Sequence, residues 1–185
     1  MDFSAFSHGQ IQSKLWLCEH LDKLINKDSY VVILGSWYNI LGFMLQTRKP
    51  GHYLEICGID IDNEATNIAE KINEAWTLGP TPIFRHLCED ANSANLNGYD
   101  VIINCSAEHM DNDEWYDKIP RGKLVCIQST NLDIVEDPWK IVNPVKSIEQ
   151  LVAKYPMKPL FYSGTLNFDY KNNGYSRYMI IGCKY

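Results

Sequence analysis

The sequence has 185 residues, enough for one domain with a substantial core. Its 45% hydrophobic and 22% charged residues are typical of a globular protein. The net charge of −6 disfavours broad, sequence-independent nucleic-acid binding, which depends on lysine and arginine. No stretch approaches the ~20 apolar residues of a membrane span, and the N-terminus does not have the pattern of a signal peptide.

Cysteine and histidine spacing argues against disulfide and metal frameworks. The six cysteines are widely spaced and form no CxxC pair, which favours a reduced, cytoplasmic protein. The five histidines do not have the spacing of a zinc site, so we expect no bound metal.

Apolar periodicity predicts an N-terminal helix followed by alternating strands and helices. In chain order the predicted elements are helix 14–26, strand 31–34, helix 38–48, strand 54–61, helix 63–75, turn 79–82, strand 83–87, strand 99–105, helix 113–118, turn 120–122, strand 123–128, helix 145–155, strand 160–168, hairpin connection 169–174 and strand 177–184.

This order predicts the fold class. Strands that alternate with amphipathic helices pair in parallel, whereas the last two strands are joined by a short connection and cannot be parallel neighbours. We therefore expect a doubly wound α/β domain with a seven-stranded, mostly parallel sheet and one antiparallel strand. We expect a single domain at 1–185, with a helical segment at 1–29 and the core at 30–185.

In such a sheet, ligands bind beyond the carboxyl ends of the strands. Gly35 and Ser36 follow the first strand, where backbone can approach a ligand closely. Asp60 ends the second strand, 25 residues after Gly35, and a carboxylate there can accept hydrogen bonds from both hydroxyls of a ribose. Each residue alone also has an explanation without a ligand, since Gly35 can be part of a structural turn and Asp60 can be an ordinary polar strand end.

The third and fourth strands also end in polar residues. Asp90 offers a carboxylate that can accept from an adenine amino group. Asn104, Glu108 and His109 lie at or after the end of the fourth strand, and a histidine there is suited to proton removal near neutral pH. The alternative is that His109 is a solvent-facing loop residue.

The ordered segments VVILG, GIDID, CEDA, YDVIINCSAEHM and IPRGKLVCIQ resemble the motifs of class I S-adenosylmethionine (SAM)-dependent methyltransferases. The resemblance spans roughly residues 30–184 and implies a Rossmann-like fold, SAM as cofactor and direct methyl transfer. It implies a cofactor site formed by Gly35, Ser36, Trp37, Asp60, Ile61, Asp90, Ala91, Asn104 and Ser106. Similarity to small methyltransferases would also place the helical segment 1–29 near the mouth of the site. The residues that we select for substrate orientation or proton removal are Asn104, Glu108 and His109.

The loop after the first strand departs from the family pattern, because Trp37 and Tyr38 stand where further glycines are usual. The two rings either cover the cofactor or occupy its place. Two rival functions therefore stay open: a nicotinamide-dependent oxidoreductase, and a non-catalytic domain whose cleft Trp37 and Tyr38 fill. Lys14, on the N-terminal helix, is either a partner for a cofactor carboxylate or a surface charge.

The segment after the fourth strand also bears on the substrate. It contains neither the Asn/Asp-Pro-Pro-aromatic sequence expected for methylation of base amino groups nor a cysteine after proline. With the acidic charge, this disfavours a nucleic-acid substrate. A small molecule or a protein side chain remains.

Overall fold

The computed structural model describes residues 2–77, 83–134, 140–169 and 174–185. Within them, the strands are β1 Ser29–Leu34, β2 Tyr53–Asp60, β3 Phe84–Cys88, β4 Val101–Asn104, β5 Leu124–Thr130, β6 Met157–Phe168 and β7 Tyr175–Lys184. The α-helices are α1 His8–Leu21, α2 Ile40–Arg48, α3 Asn63–Ile72, α4 Glu74–Thr77, α5 Glu114–Asp117 and α6 Ile148–Lys154. Two 3₁₀ turns span Phe3–Phe6 and Ala107–His109.

The strands form one sheet in the order β3-β2-β1-β4-β5-β7-β6. The pairs among β1 to β5 are parallel, and β7 is antiparallel to both β5 and β6. The predicted fold, a doubly wound seven-stranded sheet with one reversed strand, is confirmed. The reversed strand separates this order from the 3-2-1-4-5-6 arrangement of dinucleotide-binding folds.

Side chains alternate between the two faces along each strand, and the central strands β1, β4 and β5 are largely buried on both faces. Val32 and Leu34 of β1 pack in one core cluster with Trp115 of α5. Val31 and Ile33 pack on the opposite face, in a second cluster that contains side chains of α1 and α2. The helices on both faces bury these apolar strands and leave the carboxyl ends of the strands for the site.

Several helix boundaries differ from the prediction: α1 ends at Leu21 and not at residue 26, α2 begins at Ile40 and not at residue 38, and α6 spans Ile148–Lys154 and not 145–155. The first helix begins at His8 and not at residue 14, since residues 8–13 have no clear apolar stripe although Gly9 and Ser13 are buried. The predicted helix 63–75 ends at Ile72 and is followed by the separate turn α4. The predicted turn 79–82 lies outside the described residues, as does most of the hairpin connection 169–174.

The turn between β1 and α2 has an unusual backbone. Gly35, Trp37 and Asn39 have positive φ angles of 58°, 49° and 50°. Ser106, which follows β4, donates a hydrogen bond of 2.9 Å from its Oγ to the Gly35 carbonyl. A Cβ at Gly35 would lie only 2.8 Å from the Ser106 Cβ, so the turn needs glycine for its backbone angle and for this contact.

We predict that Gly35→Ala lowers the free energy of unfolding by about 2–4 kcal/mol, because the left-handed backbone and the contact with Ser106 both oppose a side chain. Gly122→Ala is the matched control: its φ is 81°, but a Cβ there meets nothing within 4 Å. Its loss should be about 1 kcal/mol, from backbone strain alone. Denaturant unfolding measures both, and equal losses would contradict the proposed clash.

Candidate functional site

A cleft of about 970 Å³ lies at the carboxyl ends of β1 to β4. It brings together almost all of the residues that the sequence predicts for a cofactor site. Those that line it are Gly35, Ser36, Trp37, Asp60, Ile61, Asp90, Ala91 and Ser106, together with Glu108 and His109. The convergence follows from the topology, since parallel strands end at the same edge of the sheet.

The Asp60 carboxylate accepts hydrogen bonds from two backbone N–H groups beside the cleft. Oδ2 accepts a hydrogen bond of 2.6 Å from the Trp37 backbone N–H, and Oδ1 accepts one of 3.0 Å from the Asp62 backbone N–H. Burial raises the pKa of Asp60, and these two N–H donors oppose the shift. A carboxylate has about four acceptor positions, so Asp60 can still accept hydrogen bonds from two hydroxyls of a ligand.

The wall next to Asp60 comes from the ends of β2 and β3. Ile61 is 74% exposed, which leaves an apolar surface beside the cleft. Asp90 is also exposed, and its Oδ1 accepts a hydrogen bond of 2.9 Å from the Asn92 backbone N–H. Glu89 and Asn92 line the cleft as well, and the sequence analysis did not select them.

Asn104 is placed differently from the expectation. It is fully buried and is not among the described residues that line the cleft. Its Oδ1 accepts a hydrogen bond of 2.9 Å from the Ser106 backbone N–H, and its Nδ2 lies 3.2 Å from the Met110 Sδ. Its polar atoms are thus bonded within the loop after β4.

Trp37 and Tyr38 do not fill the cleft. Tyr38 is 5% exposed and packs in a small cluster with Ala5, and its hydroxyl accepts a hydrogen bond of 2.7 Å from the Asp2 backbone N–H. The Trp37 ring is tilted against it, with the ring centres 4.8 Å apart, and is partly exposed. Both side chains are walls of the cleft, so the structure does not favour the function in which they replace the cofactor.

Glu108 forms a buried ion pair with Arg177 of β7, which the sequence analysis did not identify. Glu108 is 2% exposed, and its Oε1 lies 2.7 Å from the Arg177 guanidinium. Burial alone would lower the pKa of Arg177, but Glu108 raises it, so the arginine stays charged. Arg177 also donates to the Cys105 carbonyl at 2.6 Å. In the sequence, the only indication of this role is that Arg177 is a charged residue at the start of an apolar strand.

His109 lies beside this pair at the edge of the cleft. Its side chain is 38% exposed, and its Nε2 lies 4.0 Å from the Glu108 Oε1. Its Nδ1 lies 2.9 Å from the Lys140 carbonyl oxygen. The structure therefore places this histidine in the cleft and fixes its ring orientation.

Lys14 of α1 also lines the cleft. Its Nζ donates a hydrogen bond of 2.6 Å to the Gln10 Oε1. Burial lowers the pKa of Lys14 to about 8, and the positive charge of Arg177 acts in the same direction. An anionic ligand group beside this amine would stabilise its protonated form, which makes Lys14 a candidate partner for a carboxylate.

The described residues contain no cluster of three or more His, Cys, Asp or Glu side chains able to hold a metal ion. None of the helices in the same parts of the chain has the length and apolar character to cross a membrane.

No protein-family model matches the sequence, and a search of curated proteins gives no match. Solved structures do resemble the fold. The N-methyltransferase NodS from Bradyrhizobium japonicum WM9 is 12% identical with a TM-score of 0.65, and the alignment covers 94% of this chain and 96% of that one. Magnesium protoporphyrin IX methyltransferase (ChlM) from Synechocystis PCC 6803 with bound SAM is 11% identical with a TM-score of 0.60, covering 92% and 76%.

The [4+2]-cyclase SpnF also shares the fold, at 13% identity and a TM-score of 0.67, over 92% of this chain and 80% of that one. At such low identities the likeness concerns architecture and not activity, as the presence of a cyclase among the neighbours illustrates. The chain therefore has the Rossmann-like fold that is found in SAM-dependent methyltransferases.

Proposed function

We propose that the protein is a SAM-dependent methyltransferase that acts on a small molecule or a protein side chain. The observation that carries the proposal is one cleft in which Gly35, Asp60 and Asp90 meet at the carboxyl ends of β1, β2 and β3. The reversed strand β7 supports it over a nicotinamide-dependent oxidoreductase. The structural likeness to methyltransferases, one of them with bound SAM, supports the same function.

The residues present fit each part of SAM. The Asp60 carboxylate would hold the ribose hydroxyls, and Asp90 would accept from the adenine amino group. The exposed Ile61 would pack against the base. Lys14 would bind the carboxylate of the methionine part, since it is the amine that lines this cleft from α1.

When bound, SAM supplies a methyl group on a positively charged sulfur, which is already activated for transfer. The contribution of the protein is then mainly to hold and orient the reactants. Glu108 and Asn104 have positioning roles in this scheme, because the side chain of each is buried and bonded to its own surroundings. His109 is the candidate for moving a proton, since its ring is partly exposed at the cleft.

Calorimetric titration tests the proposed function. We expect folded protein to bind SAM and S-adenosylhomocysteine and not NAD. Absence of binding by the first two ligands would refute the proposal. Binding of NAD alone would instead favour an oxidoreductase.

Asp60→Asn should weaken SAM binding by more than tenfold, because a neutral amide replaces a carboxylate that accepts from the ribose. The amide oxygen can still accept from the Trp37 N–H, so the turn after β1 is preserved better than with alanine. Asp117→Asn, at an exposed residue of α5 that does not line the cleft, is the control and should bind SAM as the wild type does. Unchanged affinity in folded Asp60→Asn would exclude a ribose contact.

SAM affinity should fall as pH rises above about 8. Lys14 has a pKa of about 8 in the free protein and must be protonated to bind a carboxylate, so binding raises its pKa and is favoured below 8. Lys14→Met should reduce affinity roughly tenfold and remove this contribution to the pH dependence.

The amino group of SAM titrates in the same range, so the difference between wild type and Lys14→Met is the quantity to measure. Lys71→Met, on α3 and away from the cleft, controls for the loss of one positive charge. Identical pH profiles for wild type and Lys14→Met would show that Lys14 does not contact the cofactor.

A further inference from the structure

A second cavity, of about 250 Å³, adjoins the cleft. Gln10, Trp37, Glu108 and His109 line both spaces, so the two meet beside the 3₁₀ turn that follows β4. We call it the small cavity. Its position next to a cofactor cleft is where the molecule that receives the methyl group would be held.

The walls of the small cavity indicate what it can hold. Leu132, Ile134 and Ile141 give it an apolar side. Ser4 and Ser7 line it from the N-terminal segment. Its volume is below the ~300–1,000 Å³ of pockets for drug-sized ligands. Such a space suits a small molecule with an apolar body better than a polypeptide segment.

His109 presents a hydrogen-bond acceptor where the two spaces meet. Its Nδ1 lies 2.9 Å from the Lys140 carbonyl oxygen, and a carbonyl can only accept a hydrogen bond. In the neutral ring the proton is therefore on Nδ1, and Nε2 carries the free lone pair. Nε2 can thus accept a proton from a hydroxyl group in the small cavity.

The charges around His109 suit this role. The Glu108 Oε1 lies 4.0 Å from Nε2 and stabilises the positive ring that forms when a proton arrives. The Glu108 Oε1 is itself paired with the Arg177 guanidinium at 2.7 Å. The ionisable groups that line the two spaces include Glu108 from its own turn, Arg177 and Tyr175 from β7, Lys14 from α1, Cys105 after β4, Asp111 and Lys140 from the flanking loops, and the acidic residues along the rest of the cleft.

Glu108 and Arg177 form a neutral pair in the wall of the small cavity, which favours a neutral acceptor. A hydroxyl needs a base, because its oxygen becomes a good nucleophile only as it loses the proton. A neutral amine attacks with its own lone pair and has no such need. Among hydroxyls, a phenol with a pKa of about 10 is within reach of a histidine, whereas an aliphatic alcohol is close to water at about 15.7.

We propose that the small cavity binds a small, neutral molecule of the phenol type and that the His109 Nε2 removes its hydroxyl proton during methyl transfer. The inference rests on the proposed methyltransferase function. The phenolic oxygen forms the new O–CH₃ bond, and the S–CH₃ bond breaks with its electron pair left on sulfur. The proton passes to Nε2 and leaves to solvent through the exposed side of the ring.

Binding gives the first test, independent of turnover. With and without S-adenosylhomocysteine, wild type should bind phenol about fivefold more tightly than anisole, which has no hydroxyl proton to donate. His109→Phe keeps a ring but has no acceptor, so the preference should disappear. Equal affinities in the wild type would overturn the inference.

A substitution that blocks the small cavity tests whether phenol and SAM bind at separate sites. Leu132→Trp places a larger side chain in its wall, and Leu132 does not line the cleft. We expect phenol affinity to fall by more than tenfold and SAM affinity to stay within twofold. Unchanged phenol affinity would show that the phenol binds elsewhere.

Turnover gives the third test, with phenol, catechol and 2-naphthol compared with benzylamine and benzoate. Phenols should react with at least tenfold higher kcat/KM, and log kcat should rise with pH at a slope of one as a single base loses its proton. His109→Phe should lower kcat by about 10²–10⁴-fold and remove this rise. His52→Phe, at the opposite end of the sheet, should leave kcat and its rise with pH unchanged.

Faster transfer to benzylamine, or an unchanged rate in His109→Phe, would refute the inference. SAM binding without transfer to any of the phenols would also refute it and leave the proposed function standing. Absence of SAM binding would refute both.

Discussion

The site depends on a single turn that holds the ends of three strands together. Asp60 at the end of β2 binds the Trp37 N–H, and Ser106 after β4 binds the Gly35 carbonyl. A hydrogen bond of 3.0 Å from the Ser36 N–H to the Ile59 carbonyl adds a further link between the turn and β2. These bonds offset the strain of the left-handed residues in the turn. The floor of the cleft is therefore built before any ligand arrives, which lowers the ordering cost of binding.

A second constraint is electrostatic. Lys14 lines the cleft, whose other ionisable residues are mostly acidic, and the Glu108–Arg177 pair lies in the wall of the adjoining small cavity. Arg177 and Glu108 compensate each other, because a buried charge without a partner is costly. Among the described residues, Lys14 has no carboxylate partner, and burial lowers its pKa. Lys14 thus offers one positive charge to an anionic ligand group in a cleft with a mostly acidic lining.

Much of the fold and part of the site could be predicted from the sequence. The pattern of apolar segments predicts the order of strands and helices. Because parallel strands end at one edge of the sheet, the sequence also predicts that Gly35 and Asp60 lie close together. Local patterns did not show that Asn104 would turn its amide to its own loop. Arg177 was missed because its place depends on the pairing of β7 with β5, where it lies opposite Thr130. Such a contact joins residues far apart in sequence, and no periodicity encodes it.

The reversed direction of β7 has a consequence for how such a protein can diversify. Because β7 runs against its neighbours, its first residues reach the edge where β1 to β5 end. Tyr175 and Arg177 line the small cavity from this strand, whereas Gly35, Asp60 and Asp90 belong to the parallel half of the sheet. Tyr175 and Arg177 line only the small cavity, and the ends of β1 to β3 line only the cleft apart from Trp37. In the proposed function, substitutions at the start of β7 would therefore change the preference for the acceptor and leave the contacts to SAM in place.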